Sequence, residues 1–283
     1  MIIVLFLSAA FGPLIHRVDP ASIDEMLVGM PEPPTKGHLL GTDAQGRDML
    51  ARIFAGARIS LAVGVVSCFI NLVIGVGFGV IAGWCNSSSS AWIRLIDTMM
   101  MRLVDILYSI PLLLVVILLQ LFVKQYLDAL MGGRQNVPLL LSPDLISIYL
   151  ALGVTNWLTM ARLARGEVIN QARMDYVMAA RSIGQSNHRI LIQQILPNCT
   201  GPLAVAATLA IPEAIFIESF LGFVGLGVSA PQASWGTMAN DGLTYMYSTP
   251  HQLIFPAIAI SITMLAFNLF GDGLRDAVDP SSR

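Results

Sequence analysis

Charge is scarce in this 283-residue chain: Asp, Glu, Lys and Arg make up 12% of it, and lysine occurs only as Lys36 and Lys124. A soluble domain carries about 25% charged residues, so sixteen basic and eighteen acidic side chains are too few to cover a water-facing surface of this size. The formal net charge of −2 comes with no basic stripe, which excludes a nucleic-acid binder. Cysteine is limited to Cys68, Cys85 and Cys199, an odd number in apolar surroundings, so neither a disulfide framework nor a metal-ligand spacing can be drawn. His16, His38, His188 and His251 form no i, i+4 pair, which leaves a zinc protease without ligands. A phosphate-binding loop is missing too, since it needs lysine directly after glycine, and Lys36 follows Thr35 while Lys124 follows Val123. What the chain has in abundance is apolar: 55% hydrophobic residues and a mean hydropathy of +0.71. The bilayer is therefore the expected solvent.

Uncharged runs long enough to cross about 30 Å of hydrocarbon divide the chain clearly. The expected architecture is one all-α transmembrane domain over 1–283, with helices at 59–84, 104–123, 145–163, 198–217 and 253–271. A shorter apolar run at 1–15 is expected to be a sixth, first helix, truncated or completed by residues beyond this start; no basic segment precedes it as in a signal peptide. Arginine sets the orientation. The 164–197 region and its margins hold Arg162, Arg165, Arg173, Arg181 and Arg189 against Glu167 and Asp175, whereas 17–58 has five basic and six acidic residues. The 164–197 loop is thus placed inside, and alternation puts 16–58, 124–144 and the outer or re-entrant 218–252 outside.

That inner loop is the most informative stretch. Val168 to Ile183 has good helix formers and neither Pro nor Gly; Gly184 is a natural left-handed stop; Ser186 or Asn187 can cap a second helix running up to Pro197. Ala179 and Ala180 give the first helix a flat face against which another surface can approach. The periodicity alone equally allows a long amphipathic loop lying on the membrane.

Ala179-Ala180-x3-Gly184 followed by Leu196-Pro197, with Pro thirteen residues after Gly, resembles the EAA loop of ABC-importer permeases, the element that seats in a groove of a cytoplasmic ATPase. Three further stretches are similar to the dipeptide, oligopeptide and nickel branch: Gly41-Thr-Asp-Ala-Gln-Gly-Arg-Asp48 onward to Leu61, Phe220-Leu-Gly-Phe-Val-Gly-Leu-Gly227 with Ser234-Trp-Gly236, and Gly271-Asp-Gly-Leu-Arg-Asp-Ala-Val-Asp-Pro280. These matches run in order from residue 41 to the end. The resemblance implies a type I ABC-importer permease in a bacterial cytoplasmic membrane, importing di- or oligopeptides, glutathione or a nickel chelate. It implies as partners a second homologous permease, two ATP-binding subunits and an extracytoplasmic substrate-binding protein. ATP and magnesium would be bound by those partners, with no cofactor in this chain. The implied coupling positions are Tyr176, Met178, Ala179, Ala180, Arg181, Gly184, Leu196 and Pro197. Met178 stands where the EAA motif has its glutamate, which removes a hydrogen bond of about 1 kcal/mol. Gln194 replaces an aliphatic residue of the general motif, as is similar in the peptide branch.

Two other classes stay open on residues alone. A passive carrier or channel would also lack a phosphate loop. An intramembrane aspartyl protease would need Gly two positions before its Gly-Asp pair, and Leu269 precedes Gly271-Asp272. Ionisable and polar groups within spans are candidates for the translocation path. Glu213 and Glu218 lie about 140° apart on a continuous helix, so they cannot share a proton. Glu218 is expected to bond backbone where its helix breaks up, or to line the path. Glu213, after Pro212, is expected to meet free backbone donors or substrate. Asn71 is expected to make an interhelical hydrogen bond of about 0.6 kcal/mol. Gly75, Gly77, Gly79 and Gly83 read as close helix packing or as a flexible gate. Gly41-Thr42-Asp43 is expected to cap a short outer amphipathic helix presenting Met49, Leu50, Ile53 and Phe54.

Overall fold

The computed structural model describes residues 1–88, 90–131 and 138–278. Part of the expected 124–144 segment, and Asp279 and Pro280 of the C-terminal motif, lie outside the described residues.

Helices account for the secondary structure of the described residues, apart from one isolated antiparallel bridge between Thr42 and Asp48. In chain order they are α1 (Ile2–Ile15), α2 (Met49–Asn71), α3 (Gly77–Asn86), α4 (Ala91–Tyr108), α5 (Leu112–Met131), α6 (Pro143–Gln171), α7 (Asp175–Ser182), α8 (Asn187–Ile190), α9 (Leu196–Phe223), α10 (Trp235–Leu243) and α11 (His251–Val278). One wide π turn, Leu72–Val76, joins α2 to α3, and another, Leu191–Ile195, joins α8 to α9. Five helical stretches among the described residues are long and apolar enough to cross a membrane: Met49–Asn86, Leu112–Leu130, Pro143–Gln171, Asn187–Phe223 and His251–Val278. α1 is apolar but has only 14 residues.

The bounds differ from the uncharged runs for one recurring reason. A charge ends a run in the sequence, but a charge that finds a partner does not end a helix. The run at 59–84 becomes a helix from Met49, because Arg52 is paired with Asp43 and Asp241, and Arg58 donates to Ala9 O at 2.6 Å and Ala10 O at 2.9 Å. The 145–163 run extends to Gln171 because Arg162 meets Asp105 and Arg165 meets Asp97. The 104–123 run goes the other way. It is two helices, because Pro111 has no N–H and keeps Ile110 out of the α region, so α4 ends and α5 begins anew. At 198–217 the helix instead starts at Asn187 and passes through Pro197; the widened turn at Leu191–Ile195 lies where the proline ring would crowd the carbonyl of Gln193. At 253–271 the helix is His251–Val278.

The short helix expected after a Gly41-Thr42-Asp43 cap is not separate. Asp48 caps the long helix itself, its Oδ1 accepting from the Ala51 N–H at 2.8 Å, while Asp43 takes the backbone N–H groups of Gln45 and Arg47 in the turn before it.

The chain divides into two compact units. The first comprises 1–66, 119–149 and 211–270. Its core gathers Ala9, Met49, Leu61, Ile215, Trp235 and Phe267, and the Trp235 indole donates to Ile53 O at 3.1 Å. The second comprises 67–118, 150–210 and 271–283. Its core holds Val104, Trp157, Leu158 and Ala161, with Phe78 edge-on to Trp157 at 4.8 Å.

In the second unit a glycine stripe sets the packing. A Cβ on Gly75 would fall 2.8 Å from Trp157 O, on Gly79 2.3 Å from Ala161 O, and on Gly83 2.8 Å from Arg165 O. These three lie one turn apart, Gly75 in the wide turn and Gly79 and Gly83 in α3, and let this stretch approach the backbone of α6, as small residues do between membrane helices. Gly77 has nothing within 4 Å and does not belong to the stripe.

Candidate coupling surface and buried carboxylates

The expected 168–183 helix is broken. α6 runs to Gln171, Ala172 to Met174 turn, and α7 occupies Asp175–Ser182. The end of α7 follows from backbone geometry. Gly184 adopts φ +79°, its N–H donates to Arg181 O at 3.0 Å, and the Gln185 N–H reaches back to Ala180 O at 3.1 Å. This pair of bonds is the Schellman arrangement, which requires a left-handed residue and therefore favours glycine. Ser186 then stands at the start of α8 and its carbonyl accepts from the Ile190 N–H at 3.0 Å.

The inward face of α7 is Val177 and Ala180; outward are Met174, Met178, Ala179, Arg181 and Ile183, the last 77% exposed. Ala179 and Ala180 do not share a face, since successive helical residues are about 100° apart. The flat outward surface instead comes from Ala179 together with Gly184, which has nothing within 4 Å. Tyr176 anchors the helix to its neighbour by donating its hydroxyl to Gln171 Oε1 at 2.7 Å, and burial pushes its phenol pKa up. Leu196 and Pro197 open α9, Pro197 exposed. Asn198 holds this junction through its Nδ2, 2.6 Å from Gln194 O.

Above this surface, α6 is clasped to α4. Arg165 Nε and Nη2 donate to the two oxygens of Asp97 at 2.6 and 2.7 Å, a bidentate pair, and Asn86 Nδ2 adds a third bond at 2.7 Å. Asp97 is 2% exposed. Burial would push its pKa up, but Arg165 and Asn86 outweigh that and hold the carboxyl below its ordinary value. Arg162 donates to Asp105 at 2.9 Å and stacks 4.2 Å over the Tyr108 ring. None of these pairs was visible in the sequence; Asp97 and Arg165 are 68 residues apart.

The path candidates fall differently. Glu218 is wholly buried, and its Oε2 accepts from Ser60 Oγ at 2.9 Å and Ser219 Oγ at 3.4 Å. It does not bond freed backbone as expected, because α9 continues to Phe223 and uses those N–H groups itself. Asn71 is 2% exposed, and its Oδ1 accepts no hydrogen bond among the described residues. Glu213 alone of the three is exposed, on the flank of an apolar helix. In the outer segment, His16 and His38 converge on Asp48 at 2.9 and 2.8 Å, although 22 residues separate them.

Residues 75–283 match the family model described as "Binding-protein-dependent transport system inner membrane component". Over all of its length the chain is 41% identical to 84% of the oligopeptide transport system permease protein OppC of Bacillus subtilis (strain 168). It is 43% identical to 80% of the dipeptide transport system permease protein DppC of the same organism, again over its whole length. Among solved structures, an inward-facing MetNI methionine ABC transporter chain superposes with a TM-score of 0.61 at 20% identity, covering 79% of this chain and 94% of that one.

Proposed function

Because the chain belongs to the inner-membrane permease family of binding-protein-dependent ABC importers, we propose that it carries peptides across the membrane as one half of a permease pair driven through α7. It is a multi-pass protein of the cytoplasmic membrane with the type I importer permease fold, and ATP hydrolysis resides in partner chains rather than here. A passive carrier and an intramembrane enzyme fall away with that membership. ATP and magnesium are then cofactors of the partners alone.

The observation that carries the coupling reading is the outward surface of α7: Ala179 and Gly184 leave an open floor, flanked by exposed Met174, Met178 and Ile183. An ATPase groove can bury those apolar side chains at roughly 25 cal/mol per Å². Met178, in place of a carboxylate, makes this contact apolar rather than charge-assisted. Alternating access follows if ATP-driven closure pushes on α7 and α8, and α8 continues through its wide turn into the spanning helix α9.

The peptide reading rests on the two Bacillus subtilis relatives, whose names state oligopeptide and dipeptide transport. A second, homologous permease would complete the pathway, two ATPases would power it and an extracytoplasmic binding protein would deliver cargo. Glu213 is the path residue this reading favours. A carboxylate exposed on a spanning helix belongs in a water-filled route, where it can meet the ammonium end of a peptide. Asn71 and Glu218 are buried within the chain and serve its packing.

Replacing Gly184 by Trp tests the docking. The variant is expected to reach the membrane in normal amount, lose its ATPases on purification and lose uptake at least tenfold. Retention of ATPases with wild-type uptake would remove α7 from the coupling role.

A further inference from the structure

Force delivered at α7 enters α6 across only three residues, Ala172 to Met174. What α6 can pass on depends on how its 150–171 portion is held against α3 and α4, which share the second unit with it. The glycine stripe brings α3 onto the α6 backbone, with a Cβ on Gly79 reaching 2.3 Å from Ala161 O. A groove of glycines brings the two backbones into close contact. It resists sliding along the helix axis poorly, because it offers no knobs. The bidentate Arg165–Asp97 pair supplies what the stripe lacks. Two parallel bonds at 2.6 and 2.7 Å between planar groups fix one axial register, and a slip by even a fraction of a helical turn, whose full rise is about 5.4 Å, breaks both. Asn86, the last residue of α3, bonds the same carboxylate at 2.7 Å, so α3, α4 and α6 meet at one buried group. The pair lies two turns before the end of α6, and its side chains are not part of the outward face of α7.

We propose that Asp97 is the positioning residue of energy transmission: with Arg165 and Asn86 it locks α3, α4 and α6 into one rigid block that moves with the coupling helix. This rests on the coupling reading of α7, but it fails separately from it. If α7 is the docking site and Asp97 the lock, a variant at 97 keeps its ATPases and loses the block's rigidity. A variant at Gly184 does the reverse.

The test uses the complete transporter, with its second permease, ATPases and binding protein, in lipid nanodiscs. With the native cysteines replaced, spin labels are placed at Trp92 on α4 and Asn170 on α6, both exposed. In the wild type the distance between the labels is expected to be the same in the nucleotide-free and ATP–vanadate states. In Asp97→Asn, and likewise in Arg165→Lys, whose single ammonium cannot make the two parallel bonds, the distribution is expected to broaden or shift between the states while the ATPases remain bound. Uptake of radiolabelled trialanine per ATP hydrolysed is expected to fall at least tenfold in Asp97→Asn. A purely stabilising role would not change with nucleotide state. A distance that changes between states in the wild type overturns the proposal, as does an unchanged one in both variants. Loss of the ATPases from both variants also overturns it, since it would place the pair in docking.

Discussion

A methyl group added at Gly79 would lie 2.3 Å from the carbonyl oxygen of Ala161, whereas one added at Gly77 would meet nothing within 4 Å. Two glycines two residues apart therefore make opposite predictions. Gly79→Leu is expected to cost about 3 kcal/mol or more through overpacking against backbone that cannot yield, while Gly77→Leu is neutral. Comparing the thermal unfolding of the two purified variants checks this, and equal midpoints would contradict the stripe. Asp97 makes a pH prediction. Its folded pKa is depressed, so its contribution is present above the unfolded value of about 3.9 and is lost as pH falls through the folded value. The difference in unfolding midpoint between wild type and Asp97→Asn is expected to hold from pH 8 to about pH 5 and to vanish only below the ordinary carboxylate range. A difference that disappears between pH 7 and 5 would contradict the Arg165–Asp97 assignment. The glycines were legible in the sequence as a set, but which of the four touch a neighbour was not. That depends on how far α3 is rotated about its axis, and α3 is apolar on every side.

The elements show where sequence periodicity stops short. Hydropathy found each apolar run but cut most of them short close to a charge, and Arg52, Arg58, Arg162 and Arg165 are all inside helices because each finds a partner far away in the chain. Conversely, the uncharged run around Pro111 conceals a helix end. The stop at Gly184 was legible, because the αL cap is a local rule carried by one residue. The break at Ala172–Met174 was not, since good helix formers fill it and the burial of Val177 and Ala180 that goes with the turned α7 is a tertiary feature. Gly184 also separates two effects that the Trp variant combines. Gly184→Ala retains an open surface but strains a residue at φ +79°, and is expected to cost about 1 kcal/mol in stability with the ATPases still bound. Co-purification combined with a melting curve checks it. Loss of the ATPases from the Ala variant would mean that backbone conformation, not surface, governs docking.

At the scale of the whole molecule, the scarcity of charge indicated a membrane, and the clustering of arginine around 164–197 indicated its inner side. Exposed single-cysteine positions make that orientation testable. Met26→Cys, at a site 88% exposed, is expected to react with a membrane-impermeant maleimide on intact cells, and Ile183→Cys, at a site 77% exposed, only after permeabilisation. The reverse pattern would invert the protein. Family membership was legible because its motifs are local and ordered along the chain. The cargo was not, since no motif of this chain names a ligand chemistry and the polar residues of its spans, Asn71, Glu213 and Glu218, do not form one cluster. A chain without a phosphate loop is proposed to move peptide only when partner ATPases work on it. Reconstituting it in liposomes with the second permease, ATPases and binding protein, and following radiolabelled trialanine, tests this most directly. Accumulation above the external concentration is expected with ATP on the ATPase side and none with a non-hydrolysable analogue; equilibration at the same rate without ATP would overturn the coupling.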